Sequence, residues 1–372
     1  MRAVNIAVVS FTEQGNRLGL RAASVLREQG HCCESYAQEK FCREMPGNRL
    51  LAEPVTEWCG KRFRDCDAIL FVGACGIAVR AVAPWAADKF QDPAVLVLDE
   101  GGTFVIPLLS GHVGGANRLA RTLSKELGAT AVITTATDVN GKFAVDELAA
   151  RNRCAISSRE LAKEISAAVL AGKPVTVFSD FPVEGAVPAE VRLEESQWKR
   201  EDGRGGEENQ AAFSDPQAHI TFSNREEPGV LRLIPKAAVL GMGCRRGISL
   251  EALREAALEA LETVSLDRRA LRAIASVDRK GDEEGLIRLA EEWKLPFVTF
   301  SPEQLNGLQG PFSASEFVKK ITDVDCVCER AAMAETLERG AFGGFLLRKR
   351  AGNGVTAAIA VEEIRIEMGG DR

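Results

Sequence analysis

The chain reads as an α/β protein of three α/β domains, with largely parallel sheets and Gly-rich strand-to-helix loops. Three observations predict this. Short β-rich apolar runs recur, each followed by a Gly-containing turn and then by a helix of 3.6-residue period. The 372 residues suffice for two or three domains of roughly 150 residues each. Apolar residues make 45% and charged residues 27%, the balance of a soluble chain that can bury a core.

In the first block, 5–10 is an apolar strand, Gly15 a turn, and 17–29 a helix stopped by Gly30. Strands follow at 68–72, 94–98 and 103–109. The last leads into a helix whose Ala116, Leu119, Ala120, Leu123 and Leu127 share one face, closed by Gly128. The second block opens at Ala131. It has a helix over 160–171, with Leu161, Ile165, Ala168 and Val169 on one stripe, then a strand over 174–178. Residues 194–216 are aperiodic and rich in Glu, Gly, Asn, Gln and Arg, as expected of an exposed, flexible insertion. Strands resume at 220–223 and 230–234. The third block has a strand at 237–240, a turn at 241–247, and a helix N-capped by Ser249 carrying Leu250, Leu253, Ala257 and Leu261. Strands at 271–276 and 297–300 precede a hairpin, 344–350 with 355–362, turning at 351–354. The expected domains are 1–130, 131–235 with the insertion near 194–216, and 236–372.

Charge and composition exclude several classes. A net charge of -6 disfavours a nucleic-acid binder. No apolar run reaches the roughly 18 residues needed to span a bilayer. The first ten residues read as a strand and not a signal peptide, so a cytoplasmic protein is expected. Ten cysteines without a Cys-x-x-Cys pair, and only three histidines, predict reduced thiols and no protein-bound metal. His31-Cys32-Cys33 lacks a second ligand cluster.

Three loops can carry chemistry. In 101–117, three glycines and His112 are packed between an apolar strand and a helix start. Gly111, Gly114 and Gly115 let backbone approach a ligand, and helix N–H groups favour an anion. Ser110 and Asn117 add donors, and His112, titrating near neutral pH, is the candidate acid or base. The bland alternative is a structural turn with a solvated histidine. The loop 71–80 offers Gly73, Gly76 and Arg80, the last able to grip a carboxylate or to sit in a surface salt bridge. Cys75 in it lacks a base. The loop 241–249 offers Gly243, Cys244, Arg245 and Arg246. It is similar to a dinucleotide fingerprint with the third glycine displaced to Gly247, and adjacent arginines suit several carboxylates better. Thr135 and Asp138 end another strand, and Asp278, Lys280 and Glu283 lie on a charged loop that otherwise reads as a solvated face. A Gly-x-x-x-x-Gly-Lys phosphate loop, a Gly-x-Ser-x-Gly elbow and a His-Glu-x-x-His pair are all missing from the sequence.

At these loops the sequence resembles the cobalt-precorrin-5A hydrolase family (CbiG) of anaerobic cobalamin biosynthesis. The motifs are Gly73-Ala-Cys-Gly-Ile-Ala-Val-Arg80, residues 89–99, Ser110-Gly-His-Val-Gly-Gly-Ala-Asn117 and Thr134-Thr-Ala-Thr-Asp138. Gly241-Met-Gly-Cys-Arg-Arg-Gly247, Lys280-Gly-Asp-Glu-Glu-Gly-Leu286, Cys328-Glu-Arg-Ala-Ala332 and 355–360 continue it. Glu284 stands where a proline is common, and the insertion matches poorly. The resemblance implies opening of the ring-A δ-lactone of cobalt-precorrin-5A with release of acetaldehyde, giving cobalt-precorrin-5B. It implies a cobalt-corrinoid substrate that brings its own cobalt, hence no cofactor, no nucleic acid and no membrane. Other cobalamin-pathway enzymes and a second copy of the chain are the further partners expected. Within that reading His112 is the base, the loop amides serve the oxyanion, and Arg80, Arg245 and Arg246 take substrate carboxylates. A non-catalytic corrinoid carrier is the main alternative. A nicotinamide oxidoreductase using the Gly241 loop is the other.

Overall fold

The structure is a computed structural model that describes residues 4–88, 91–112, 114–195, 215–316 and 322–369. It divides into two compact units, 1–150 and 151–372.

The first unit is built from β1 (Asn5–Ser10), α1 (Glu13–Glu28), β2 (Cys32–Ala37), α2 (Glu39–Glu44), β3 (Asn48–Leu50), α3 (Val55–Asp65) and β4 (Ala68–Val72). It continues through α4 (Cys75–Val82), β5 (Ala94–Leu98), β6 (Phe104–Leu109), α5 (Ala116–Leu127), β7 (Thr130–Ala131), α6 (Ala136–Val139) and α7 (Val145–Arg151). The strands form one sheet in the order β3-β2-β1-β4-β5-β6-β7. Every residue of β4 and β5 is buried, as expected of strands covered on both faces.

Two expectations change here. Thr12, whose side chain accepts from the Gly15 amide at 3.0 Å, caps α1. The helix therefore starts four residues earlier than the period suggests, and Gly15 lies inside it. More important for the site, β6 is not a further buried parallel strand. The tight turn at Asp99–Gly102 reverses the chain, β6 runs antiparallel to β5, and its outer residues are half-buried. β7 then pairs parallel to β6, with α5 as the crossover.

The second unit holds β8 (Cys154–Ile156), α8 (Arg159–Leu170), β9 (Val175–Ser179), β10 (Val183–Glu184), β11 (Val191–Glu195), β12 (Gln217–Ile220) and β13 (Val230–Pro235). Then come β14 (Ala238–Cys244), α9 (Leu250–Thr263), β15 (Leu271–Val277), α10 (Glu284–Trp293), β16 (Phe297–Phe300) and α11 (Pro302–Asn306). The helix Val327–Arg339 (α12) and the strands β17 (Phe342–Gly352), β18 (Val355–Glu362) and β19 (Ile366–Glu367) complete it. Its two larger sheets have the orders β11-β9-β12-β13-β8 and β16-β15-β14-β18-β17. The hairpin β17–β18 turns at Asn353 and Gly354, both at positive φ, the mirror-image turn that matches strand twist. Most of the expected insertion, residues 196–214, lies outside the described residues.

The turn expected at 241–247 is corrected: Gly241, Met242 and Gly243 belong to β14. A Cβ on Gly241 would stand 1.9 Å from the Cys328 carbonyl oxygen. The glycine is there so that α12 can lie directly on the strand, which leaves it no part in a ligand loop. No helix among the described residues is long and apolar enough to cross a membrane.

Candidate active site

The carboxyl ends of β6 and β7 open side by side, and the residues between Ser110 and Asp146 gather there. Ser110 sits in the left-handed region at φ 54, and its Oγ donates to the Asp92 carbonyl at 2.9 Å. That pins the first residue of the loop to the lead-in of β5. Gly114 folds back onto it, where a Cβ would come within 2.4 Å of the Ser110 Cβ. A Cβ on Gly111 would press on the Asn117 carboxamide at 2.8 Å. Both glycines are therefore required for close packing of the loop on itself.

That packing overturns the anion-binding reading of the helix start. The amides of Gly115, Ala116 and Asn117 donate to the carbonyls of His112, Ser110 and Gly111 at 3.0, 3.2 and 2.9 Å. The first turn of α5 is thus capped by the loop and has few donors left for a ligand. The amides of Gly111, His112 and Gly114 have no partner among the described residues.

His112 is turned inward between two carboxylates. Its Nε2 lies 2.6 Å from Asp138 Oδ2, and its Nδ1 lies 3.1 Å from Asp146 Oδ1. Thr137 Oγ1 is 3.3 Å from Nε2. Asp138 is itself tied down. Arg121 donates to its Oδ1, and the Asn117 carboxamide donates to its Oδ2 at 2.9 Å while also donating to Thr135 at 2.8 Å. Burial alone would push the imidazole pKa down. The hydrogen bonds and charges of Asp146 and Asp138 overcome that and raise it to about 9. Burial likewise works against the Asp138 carboxylate, and His112 with Arg121 outweighs it, holding its pKa low. The expectation that His112 titrates near neutrality is therefore corrected: at pH 7 it is an imidazolium with both N–H groups engaged.

The other predicted residues are elsewhere. β1 turns to β2 on one side and β4 on the other, and the loop with Gly73, Gly76 and Arg80 stands at that switch point, on the carboxyl ends of the parallel strands. Because β6 is reversed, His112 lies at the opposite edge of the sheet. A five-residue strand separates the two edges, roughly 17 Å. Arg80 is exposed and makes no ion pair among the described residues.

Gly243, Cys244, Arg245, Arg246, Asp278, Lys280 and Glu283 all belong to the second unit. There the charged loop is largely a staple. Lys280, buried, donates to Glu283 at 2.9 Å, and Glu283 accepts from the Gly247 amide at 2.7 Å. Arg246 donates to Asp282 at 2.8 Å and to the Arg279 carbonyl at 3.1 Å. These bonds clamp the turn after β14 to the turn after β15, which corrects Lys280 and Glu283 from ligand groups on a loop to an internal pair. Gly243 is in the strand, and burial pushes the Cys244 thiol pKa up. Arg245 and Asp278 are exposed. Among the described residues no group of three or more His, Cys, Asp and Glu side chains is arranged to hold a metal ion. His31 is buried, with Nδ1 3.4 Å from the Val4 amide.

Sequence reasoning missed Asp146, Arg121 and Thr137. Arg121 stands one helical turn beyond Asn117 on α5, so helix spacing offered a weak signal. Asp146 offered none, since it meets His112 only through the tertiary fold.

Comparison with known proteins agrees with the motif order. Residues 57–138 match a family model described as cobalamin synthesis G N-terminal, 143–235 the cobalamin biosynthesis central region, and 238–360 the cobalamin synthesis G C-terminus. The chain is 36% identical over 365 residues to the cobalt-precorrin-5A hydrolase of Salmonella typhimurium, covering 96% of this chain and 97% of that one. It belongs to the cobalt-precorrin-5A hydrolase family. A second relative, the cobalt-precorrin-5A hydrolase of Priestia megaterium, is 30% identical over 379 residues, with 95% and 94% coverage. A solved structure of a putative cobalamin biosynthesis protein G homolog from Sulfolobus solfataricus aligns over 96% of this chain and 97% of its own. Its identity is 24% and the TM-score is 0.42. In this family member, His112 and Asp138 fall in the N-terminal region and Asp146 in the central region.

Proposed function

We propose that this protein hydrolyses cobalt-precorrin-5A, opening the ring-A δ-lactone and releasing acetaldehyde to give cobalt-precorrin-5B. The observation that carries the site assignment is His112 held between Asp138 and Asp146 at the ends of β6 and β7. Cobalt enters inside the substrate macrocycle.

The charge state of His112 sets the order of events. Water adds to the lactone carbonyl, and the amides of Gly111, His112 and Gly114, which have no partner among the described residues, serve the oxyanion. As the tetrahedral adduct collapses, the C–O bond breaks and the departing alkoxide takes the Nε2 proton of the imidazolium. The water's hydroxyl stays on the acyl carbon, and its other proton passes to solvent. His112 is now neutral and is the base required next. It takes the hydroxyl proton back as the C–C bond breaks, so that the carbinol carbon leaves as acetaldehyde. The macrocycle carbon keeps the electron pair and is protonated from solvent. One residue thus acts as acid and then as base. Arg80, at the far edge of the sheet, is given no part at the lactone carbon.

The test is acetaldehyde trapping with purified protein and cobalt-precorrin-5A under anaerobic conditions. Stoichiometric acetaldehyde with a lactone-opened product supports the reading. His112→Ala should lower the rate by roughly 10²- to 10⁴-fold. Corrinoid binding without acetaldehyde from the wild-type protein would make it a carrier and overturn the proposal.

A further inference from the structure

We propose that Asp146 is a positioning residue for this reaction. It holds a proton on Nδ1 of His112, so that the Nε2 proton is the one passed to the substrate oxygen and taken back. The inference rests on the hydrolase reading for its catalytic meaning, though not for its geometry.

Two carboxylates compete for one imidazole, and their surroundings differ. Asp138 is satisfied without His112, because Arg121 serves one of its oxygens and Asn117 the other. Releasing Nε2 to a substrate therefore leaves Asp138 paired, at modest cost. Nδ1 is the ring nitrogen nearer the main chain. Its partner, Asp146 Oδ1, also accepts the Glu147 amide at 3.1 Å, which fixes the carboxylate in the first turn of α7. That turn is anchored. Phe143, Ala144, Val145, Leu148 and Ala149 are all buried, so Asp146 is presented from packed backbone. An anion so held at Nδ1 fixes both tautomer and ring orientation, the role a buried carboxylate plays beside a catalytic imidazole. The charged groups facing His112 among the described residues are Asp146 from α7 and Asp138 from α6, with Arg121 of α5 behind Asp138.

The experiment is nitrogen-15 NMR of the histidine rings in the full chain, where three histidines make assignment simple and His112→Gln identifies the signal. In the wild type, His112 should lose its proton from Nε2 and keep Nδ1–H on deprotonation. In Asp146→Asn the titration midpoint should fall by about one pH unit or more, and the neutral ring should gain Nε2–H. With substrate, Asp146→Asn should lower kcat at least roughly tenfold and leave KM nearly unchanged. Asp138→Asn should leave the Nδ1–H tautomer in place. An Asp146→Asn protein that melts like the wild type and keeps its midpoint and tautomer would overturn the proposal. So would a tautomer that changes in Asp138→Asn and not in Asp146→Asn. The NMR result stands whether or not acetaldehyde is released, so this inference and the hydrolase reading fail separately.

Discussion

Replacing His112 with glutamine should destabilise the first unit at pH 6 and cost far less of its stability at pH 10. The imidazole is raised from an ordinary 6.5 to about 9 by Asp146 and Asp138. The folded state therefore binds the proton more tightly than the unfolded chain. The stabilisation is fully present below pH 6.5, declines as pH rises toward 9, and is gone above it. At about 1.4 kcal/mol per pH unit, the lift is worth about 3 kcal/mol. Solvent screening of a cluster at the sheet edge reduces this to about 2 kcal/mol. The assay is urea-dependent hydrogen exchange of the buried α5 amides of Leu119, Ala120 and Leu123, in wild type and His112→Gln, between pH 6 and 10. These amides report the first unit alone. The wild-type advantage should shrink by about 2 kcal/mol across that range. An advantage that stays constant with pH would refute the charged imidazole, and with it the acid step assigned to His112.

Three further outcomes follow from the packing. Gly114→Ala drives a methyl into Ser110 and should displace the loop, abolishing acetaldehyde release and costing the first unit about 1–3 kcal/mol in urea unfolding. Gly241→Ala cannot be accommodated against the Cys328 carbonyl without moving α12. It should destabilise the second unit by about 3 kcal/mol or more, with His112 still titrating at its wild-type midpoint by NMR. Arg80→Ala removes an exposed cation at the far edge that makes no ion pair among the described residues. It should change neither the melting temperature nor kcat by more than about twofold, and a large kcat loss would mean that both edges of the sheet serve one substrate.

Much of the candidate site was legible where chemistry is local. The run Ser110-Gly-His-Val-Gly-Gly-Ala-Asn117 named the loop, and the apolar stripe of α5 named the helix that follows it. Asn117 is legible as a loop donor and Thr135 and Asp138 as strand-end polar groups, and the structure joins them: Asp138 meets His112, Asn117 donates to Asp138, and Thr135 accepts from Asn117. The same residue types at other strand ends had different fates. Lys280 and Glu283 look like ligand groups on paper and turn out to be spent on each other, because a buried lysine requires a paired carboxylate.

The sequence by itself determined the elements. Apolar runs of strand length, helix periods, the Ser249 cap and the turn at 351–354 are all set by neighbours a few residues apart. The family was set by motif order in the same way. Only the tertiary structure decided strand direction and the state of His112. An apolar run such as 104–109 pairs parallel or antiparallel with equal ease, so the reversal of β6 is invisible until the turn at Asp99–Gly102 and the pairing with β5 are seen. That reversal moved His112 to the edge away from Arg80. The bonds that charge His112 close over 26 and 34 residues. Its protonation depends on how near two carboxylates come in a partly dry cluster, a distance that no local pattern encodes.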